Sequence, residues 1–314
     1  MSTALVFPGQ GSQAVGMGKR LAEEFAVARS VFEEVDAALA EKLSATMWEG
    51  PADKLMLTEN AQPALMAVSL AALRVLETEA GLDLPRDTAF VAGHSLGEYS
   101  ALAAAQALTI ADAARLLRTR GRAMQKAVPV GVGAMAALVG TTLDQAKGLA
   151  QDAADAGVCA AANDNGGGQV VLSGAKSAVE RAVEMAKERG VKRAMILPVS
   201  APFHCSLMQP AADVMAEALS QVEVRRPRVP LVANVLAKPV SDPATIVRAL
   251  IQQVTGTVRW RESVLFMAEA GVRIFYEIGA GRVLTGLIKR IAEGAIASPI
   301  GTPEDIAAFK IARS

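Results

Sequence analysis

With 314 residues, 52% of them hydrophobic, the chain can bury a large core, as one big domain or a large one carrying an insert. Its 32 basic and 32 acidic residues cancel, which argues against nucleic acid or an anionic membrane as the main partner. Two cysteines, Cys159 and Cys205, are too few for a disulfide framework, and no apolar run is long enough to span a bilayer, so a cytoplasmic protein is expected.

In chain order, the opening MSTALVFPGQ has no basic segment and its apolar run stops at Pro8, so Thr3 to Phe7 reads as a buried strand and not a signal peptide. Pro8-Gly9-Gln10-Gly11-Ser12-Gln13 is then a tight loop before a helix to about Phe25. Gly9-x-Gly11-x-x-Ala14 loosely fits a dinucleotide fingerprint. The strand that should carry a terminal acid is missing, however, because Ser30 to Lys42 has a helical pattern. A different use for the loop is to bring the backbone N–H of Gln10 close to a substrate oxygen. A helix opening at Ala61-Gln62-Pro63 and running to about Ala80 follows.

Thr88 to Ala107 is the most informative stretch. Thr88 to Ala92 reads as a short strand, Gly93-His94-Ser95-Leu96-Gly97 matches G-x-S-x-G, and an alanine-rich helix starts at Glu98. The serine therefore falls on a sharp strand-to-helix turn with its hydroxyl exposed, and the N–H of Leu96 points to where an oxyanion could sit. The next helix, about Ala111 to Val128, has Leu116, Leu117 and Met124 on one face and Arg115, Arg118, Arg122 and Lys126 opposite. Arg120 lies in the apolar face. A guanidinium cannot give up its proton, so something negative must meet it: an internal acid or a substrate carboxylate.

From Gly133 to about Leu197 the order is strand Ala134–Val139, helix Thr142–Ala156, strands Val158–Asn163 and Gln169–Ser173, helix Lys176–Arg189 and strand Lys192–Leu197. That βαββαβ order is the ferredoxin-like unit. The expected fold is thus α/β: a large α/β-hydrolase-like domain with a mostly parallel sheet (1–128 and 199–314) plus an inserted small ferredoxin-like domain (129–198). Asn163-Asp164-Asn165-Gly166-Gly167-Gly168 is expected as the middle turn, either a plain hairpin loop or one whose amides reach the cleft.

A nucleophilic serine needs a base, and the chain holds two histidines. His94 adjoins Ser95 on the turn, so its ring should point away from the hydroxyl. His204 remains, in the loop Ser200-Ala201-Pro202-Phe203-His204-Cys205 before a helix to about Ser220. No acid announces itself behind it; Asp213, Glu217 and a main-chain carbonyl all stay open. Beyond this, Leu231–Asn234 and Arg273–Ile278 read as strands. Pro243–Val254, Trp260–Glu269 and Val283–Ala292 read as helices, and no Cys/His spacing suggests a metal.

Phe7-Pro8-Gly9-Gln10-Gly11-Ser12-Gln13, Gln62-Pro63-Ala64, Gly93-His94-Ser95-Leu96-Gly97-Glu98-Tyr99, Arg120-Gly121, Gln169 to Gly174, Phe203-His204-Cys205 and Glu277-Ile278-Gly279 follow in the order found in malonyl-CoA:acyl carrier protein transacylases. The chain resembles that family along essentially its whole length. The resemblance implies a Ser95–His204 dyad acting by a ping-pong malonyl-serine route, an oxyanion hole of the Gln10 and Leu96 amides, and Arg120 on the malonyl carboxylate. It also implies the main-chain carbonyl of Gln253 on His204. His94 and Asn163 are added as substrate-binding residues. The implied partners are malonyl-CoA and acyl carrier protein, with no cofactor, and the protein is expected to act as a monomer. Two departures stand out: Gly166-Gly167 where many members carry Ser-Pro, and Gly256-Thr257 where many carry Asn-Pro.

Overall fold

The structure, a computed structural model, describes residues 2–199 and 201–313, so Ser200 of the histidine loop lies outside the described residues. In chain order the strands are β1 (Ser2–Phe7), β2 (Phe90–Gly93), β3 (Gly133–Val139), β4 (Cys159–Gly166), β5 (Gln169–Ala175), β6 (Arg193–Ile196), β7 (Leu231–Ala233), β8 (Lys238–Val240), β9 (Val272–Ile278) and β10 (Ile296–Ile300).

Six of them form one sheet in the order β10-β9-β1-β2-β7-β8, parallel throughout except for the antiparallel β7–β8 pair. Its centre is buried on both faces, as a parallel sheet requires. Along β1 the side chains alternate: Leu5 and Phe7 enter the core beneath the helices Ala26–Leu39, Thr58–Glu79 and Ile110–Ala127, while Ala4 and Val6 enter the core beneath Trp260–Glu269 and Val283–Ile291. The Thr58–Glu79 helix starts three residues before the Ala61 expected from sequence and takes Pro63 inside its second turn. No helix of the described residues is long and apolar enough to cross a membrane.

The other four strands form an antiparallel sheet in the order β4-β5-β3-β6, with helices Leu143–Asp152 and Lys176–Glu188 in the connections. This is the ferredoxin-like arrangement. The first of those helices starts on a full capping box, in which Thr142 and Gln145 satisfy each other's backbone N–H. The edge of β4 does not lie open. Val258 donates to Ala162 O at 2.8 Å, Asp164 donates to Val258 O at 2.9 Å, and the Thr257 hydroxyl reaches Ala161 O at 2.7 Å. Arg261 Nε adds a 2.8 Å bond to Asp164. These contacts stitch the small sheet to the segment after helix Pro243–Thr255, so the departure at Gly256-Thr257 sits on this seam.

One expectation is corrected here. Asn163, Asp164, Asn165 and Gly166 belong to β4, and the turn is confined to Gly167-Gly168, both at positive φ. Backbone pairing wins because two register shifts let the strand continue past Ala161. Residues two apart share a face of a strand, so Asn163 and Asn165 point together into the space above the large sheet, while Asp164 turns toward Arg261.

The turn between β2 and the helix Gly97–Ala104 leaves no room for side chains at its two glycines. A Cβ on Gly93 would stand 1.9 Å from the carbonyl of Gly97, and one on Gly97 would stand 2.3 Å from the carbonyl oxygen of Phe7. Both obstacles are backbone. Gly93→Ala is therefore expected to lower the unfolding free energy in urea by about 3 kcal/mol or more. Gly148→Ala, mid-helix with nothing within 4 Å of its added methyl, should raise it by about 0.5–1 kcal/mol. Equal effects at the two sites would contradict the packing described.

Candidate active site

Ser95 sits between β2 and the helix Gly97–Ala104 at a φ of +54°, a left-handed conformation that costs a serine about 1–3 kcal/mol. Two side chains hold it there. Asn234 Oδ1 accepts from the Ser95 N–H at 2.8 Å, and Gln253 Nε2 donates to the Ser95 carbonyl at 2.9 Å. Asn234 Nδ2 also donates to the Gly93 carbonyl at 2.6 Å, which ties the start of the turn to the same residue.

His204 comes from the loop after β6 and is itself at a φ of +60°. Its Nε2 lies 2.8 Å from Ser95 Oγ and its Nδ1 lies 2.8 Å from the Gln253 main-chain oxygen. A carbonyl only accepts, so Nδ1 carries the proton and Nε2 offers its lone pair to the serine hydroxyl. Burial, and then the positive charge of Arg120, push the imidazole down to about 3. Asp213 and Glu217 are exposed on the helix Gln209–Ser220, where Asp213 takes a bond from Gln209. The carbonyl of Gln253 occupies the place of a triad acid.

Arg120, 1% exposed, is the second largest of the fully buried side chains. Its partners among the described residues are neutral oxygens: Gln62 Oε1 at 2.8 Å, Gln253 Oε1 at 2.7 Å and Ser95 Oγ at 3.1 Å. The guanidinium also lies 5.8 Å from the centroid of the Tyr99 ring, in reach of a cation–π attraction. The Arg115, Arg118, Arg122 and Lys126 stripe is corrected at one position. Arg118 is buried, donating to Asn60 at 2.7 Å and facing Glu41 at 3.1 Å, because these two residues close over it, while Arg115, Arg122 and Lys126 are exposed.

A cavity of about 580 Å³ opens over Ser95. Its walls include Gln10 and Leu96 at the floor, Asn163 and Asn165 from β4, and Leu287 from the helix Val283–Ile291. Neither the Gln10 nor the Leu96 N–H has an acceptor among the described residues. His94 lines the same cavity, its Nε2 2.9 Å from Asn165 Oδ1 and its ring tilted against Trp260, and burial holds it in the neutral form. Its ring is turned from the Ser95 hydroxyl toward the small sheet.

All eight residues singled out from sequence thus meet at one place. Sequence reasoning passed over the side-chain roles of Gln62, Glu98, Asn234 and Gln253, which hold the others. A carboxylate in the otherwise apolar GEYSALAA segment was the available signal for Glu98. Asn234 and Gln253 carried none, since each is an uncharged amide at an ordinary strand end or in an ordinary helix.

Comparison with known proteins finds relatives along the whole chain. The model of the acyl transferase domain family matches residues 4–302. Malonyl CoA-acyl carrier protein transacylase of Escherichia coli K12 is 45% identical over 305 residues, 97% of either chain. The crystal structure of acyl-carrier-protein-S-malonyltransferase from Bartonella henselae is 56% identical, covers 100% of both chains and superposes with a TM-score of 0.97. A malonyl-transacylase solved in complex with a type II polyketide synthase acyl-carrier protein is 41% identical, with a TM-score of 0.95, over 99% of this chain and 100% of that one.

Because both imidazoles are desolvated, neither should titrate near the ordinary value of 6.5 in the folded protein. Ring NMR resonances should stay those of neutral histidine well below that pH. A depressed folded value means the unfolded chain takes up these protons first, so this contribution to stability is lost as pH falls from about 6.5 toward about 3. A titration midpoint near 6.5 for His204 would contradict the geometry.

Proposed function

The chain belongs to the acyl transferase family, as a malonyl-CoA:acyl carrier protein transacylase, and we propose that Ser95 carries the malonyl group between the two thiols as an ester. The observation that carries this is the shared hydroxyl: Ser95 Oγ donates to a neutral His204 and accepts from Arg120. We take residues 129–198 as the insert that roofs the cleft and 1–128 with 199–314 as the body that holds the reacting groups.

The thioester of malonyl-CoA enters with its carboxylate on the Arg120 guanidinium and its carbonyl oxygen toward the Gln10 and Leu96 amides. His204 Nε2 takes the serine proton as Oγ attacks the carbonyl carbon. The tetrahedral oxyanion is held by the two N–H groups, worth about a hundredfold or more in rate. The C–S bond then breaks and the departing thiolate of coenzyme A takes the proton from His204. The phosphopantetheine thiol of acyl carrier protein next gives its proton to His204, attacks the ester, and leaves with the malonyl group as Ser95 recovers its hydrogen. Electrons and protons balance among thioester, serine and thiol, so the cycle calls for no cofactor. The free thiols Cys159 and Cys205 suit the reducing cytoplasm expected from the sequence.

The Arg120 charge has two effects in this cycle. It pairs with the malonyl carboxylate, and until that pairing it depresses His204 across the Ser95 hydroxyl. A bound malonyl group therefore relieves the base that it needs, whereas an acetyl group cannot. His94 and Asn163 border the path of the thioester, and the His94–Asn165 bond fixes one side of it.

Intact-mass measurement after exposure to malonyl-CoA should show one malonyl adduct that disappears when carrier protein bearing its phosphopantetheine thiol is added. Ser95→Ala should show none; an undiminished adduct there would overturn the nucleophile. Arg120→Ala should lower the acylation rate at saturating malonyl-CoA by about a hundredfold, and the rate with acetyl-CoA far less. Equal losses would make Arg120 a structural residue.

A further inference from the structure

One buried carboxylate beside the serine turn has no part in the mechanism. Glu98 is fully buried in the first turn of the helix Gly97–Ala104, and its carboxylate makes no ion pair among the described residues. Its Oε2 accepts from Gln253 Nε2, and its Oε1 accepts from the Asn234 N–H at 3.2 Å. These are the two residues that grip Ser95: Asn234 Oδ1 accepts from the Ser95 N–H, and Gln253 Nε2 donates to the Ser95 carbonyl. The same Gln253 amide presents Oε1 to Arg120 at 2.7 Å.

An ionised carboxylate can only accept hydrogen bonds, and a guanidinium can only donate them. A primary amide between them has one way to face: nitrogen to Glu98, oxygen to Arg120. A buried anion and a buried cation this near would ordinarily gain most by touching. Here one amide keeps them apart. The acid offsets the charge of the pocket as a whole, while the guanidinium still faces the cavity with neutral oxygens as its partners.

We propose that Glu98 is a positioning residue for malonyl selectivity: acting through the Gln253 amide, it orients Arg120 and supplies a counter-charge at one side chain's remove, leaving the guanidinium available to a substrate carboxylate. This rests on the reading of Arg120 as the carboxylate site and adds the reason that the cation stays unpaired until substrate arrives. Burial raises the Glu98 carboxyl to about 7, and the bonds from Gln253 and Asn234 pull against that rise. Selectivity is therefore measured at roughly pH 8, where the group is ionised.

The test is the ratio of kcat/KM for Ser95 acylation by malonyl-CoA to that by acetyl-CoA, in the intact protein and two variants. Glu98→Gln must turn an N–H toward either Gln253 or Asn234, and should lower the ratio about tenfold. Gln253→Glu keeps the main-chain carbonyl on His204 but sets a carboxylate directly against Arg120. It should lower the ratio about thirtyfold or more, mainly through a raised KM for malonyl-CoA. An unchanged ratio in either folded variant, or equal losses for both acyl groups, would overturn the proposal. Should Glu98→Gln fail to fold, Gln253→Glu decides alone. Absence of a malonyl adduct on the unsubstituted protein would instead sink the underlying reading of Ser95, so the two failures are told apart.

Discussion

A guanidinium that is 1% exposed, bonded to neutral oxygens and crossed by an aromatic ring, is the constraint around which this molecule is arranged. Taking that charge out of water is costly unless other groups replace its hydration. Gln62 arrives from the helix Thr58–Glu79 and Gln253 from the helix Pro243–Thr255, so three long helices must be packed in register for the cation to be accommodated. The same charge reaches the hydroxyl of Ser95 and depresses His204. Fold, nucleophile and base are thereby coupled through one side chain.

The serine turn depends on that coupling in a second way. Left-handed backbone at Ser95 and at His204 is unfavourable on its own, and it persists because neighbouring groups over-determine it. Asn234 and Gln253 clamp both sides of the Ser95 peptide, and Glu98 accepts from both clamps. The small sheet closes the upper side. Its β4 edge is stitched to the 257–258 segment, which fixes the height of Asn163 and Asn165 above the serine. A site assembled from two sheets thereby gains a defined cleft.

Much of this was legible in the chain. The βαββαβ order, the parallel sheet and the strand-turn-helix around Ser95 follow from periodicity and glycine placement, and these are local signals. The buried position of Arg120 followed from its angle on an amphipathic helix. What escaped was non-local. Helical spacing put Arg118 on a solvated face, but Asn60 and Glu41 cover it from elements far away in sequence. The triple glycine suggested a turn starting at Asn163, whereas strand pairing with Val258 carried β4 onward. The carbonyl of Gln253 could be anticipated only from resemblance, since a main-chain oxygen leaves no mark on composition. The Gln253 side chain, bridging Glu98 and Arg120, left no mark at all.

A crystal structure of the malonyl-loaded protein tests the central claim most directly. The account predicts an ester on Ser95 Oγ, its carbonyl oxygen within hydrogen-bond distance of the Gln10 and Leu96 amides, and the free carboxylate paired with the Arg120 guanidinium. A carboxylate turned to solvent, with Arg120 still held by Gln62 and Gln253 alone, would contradict it.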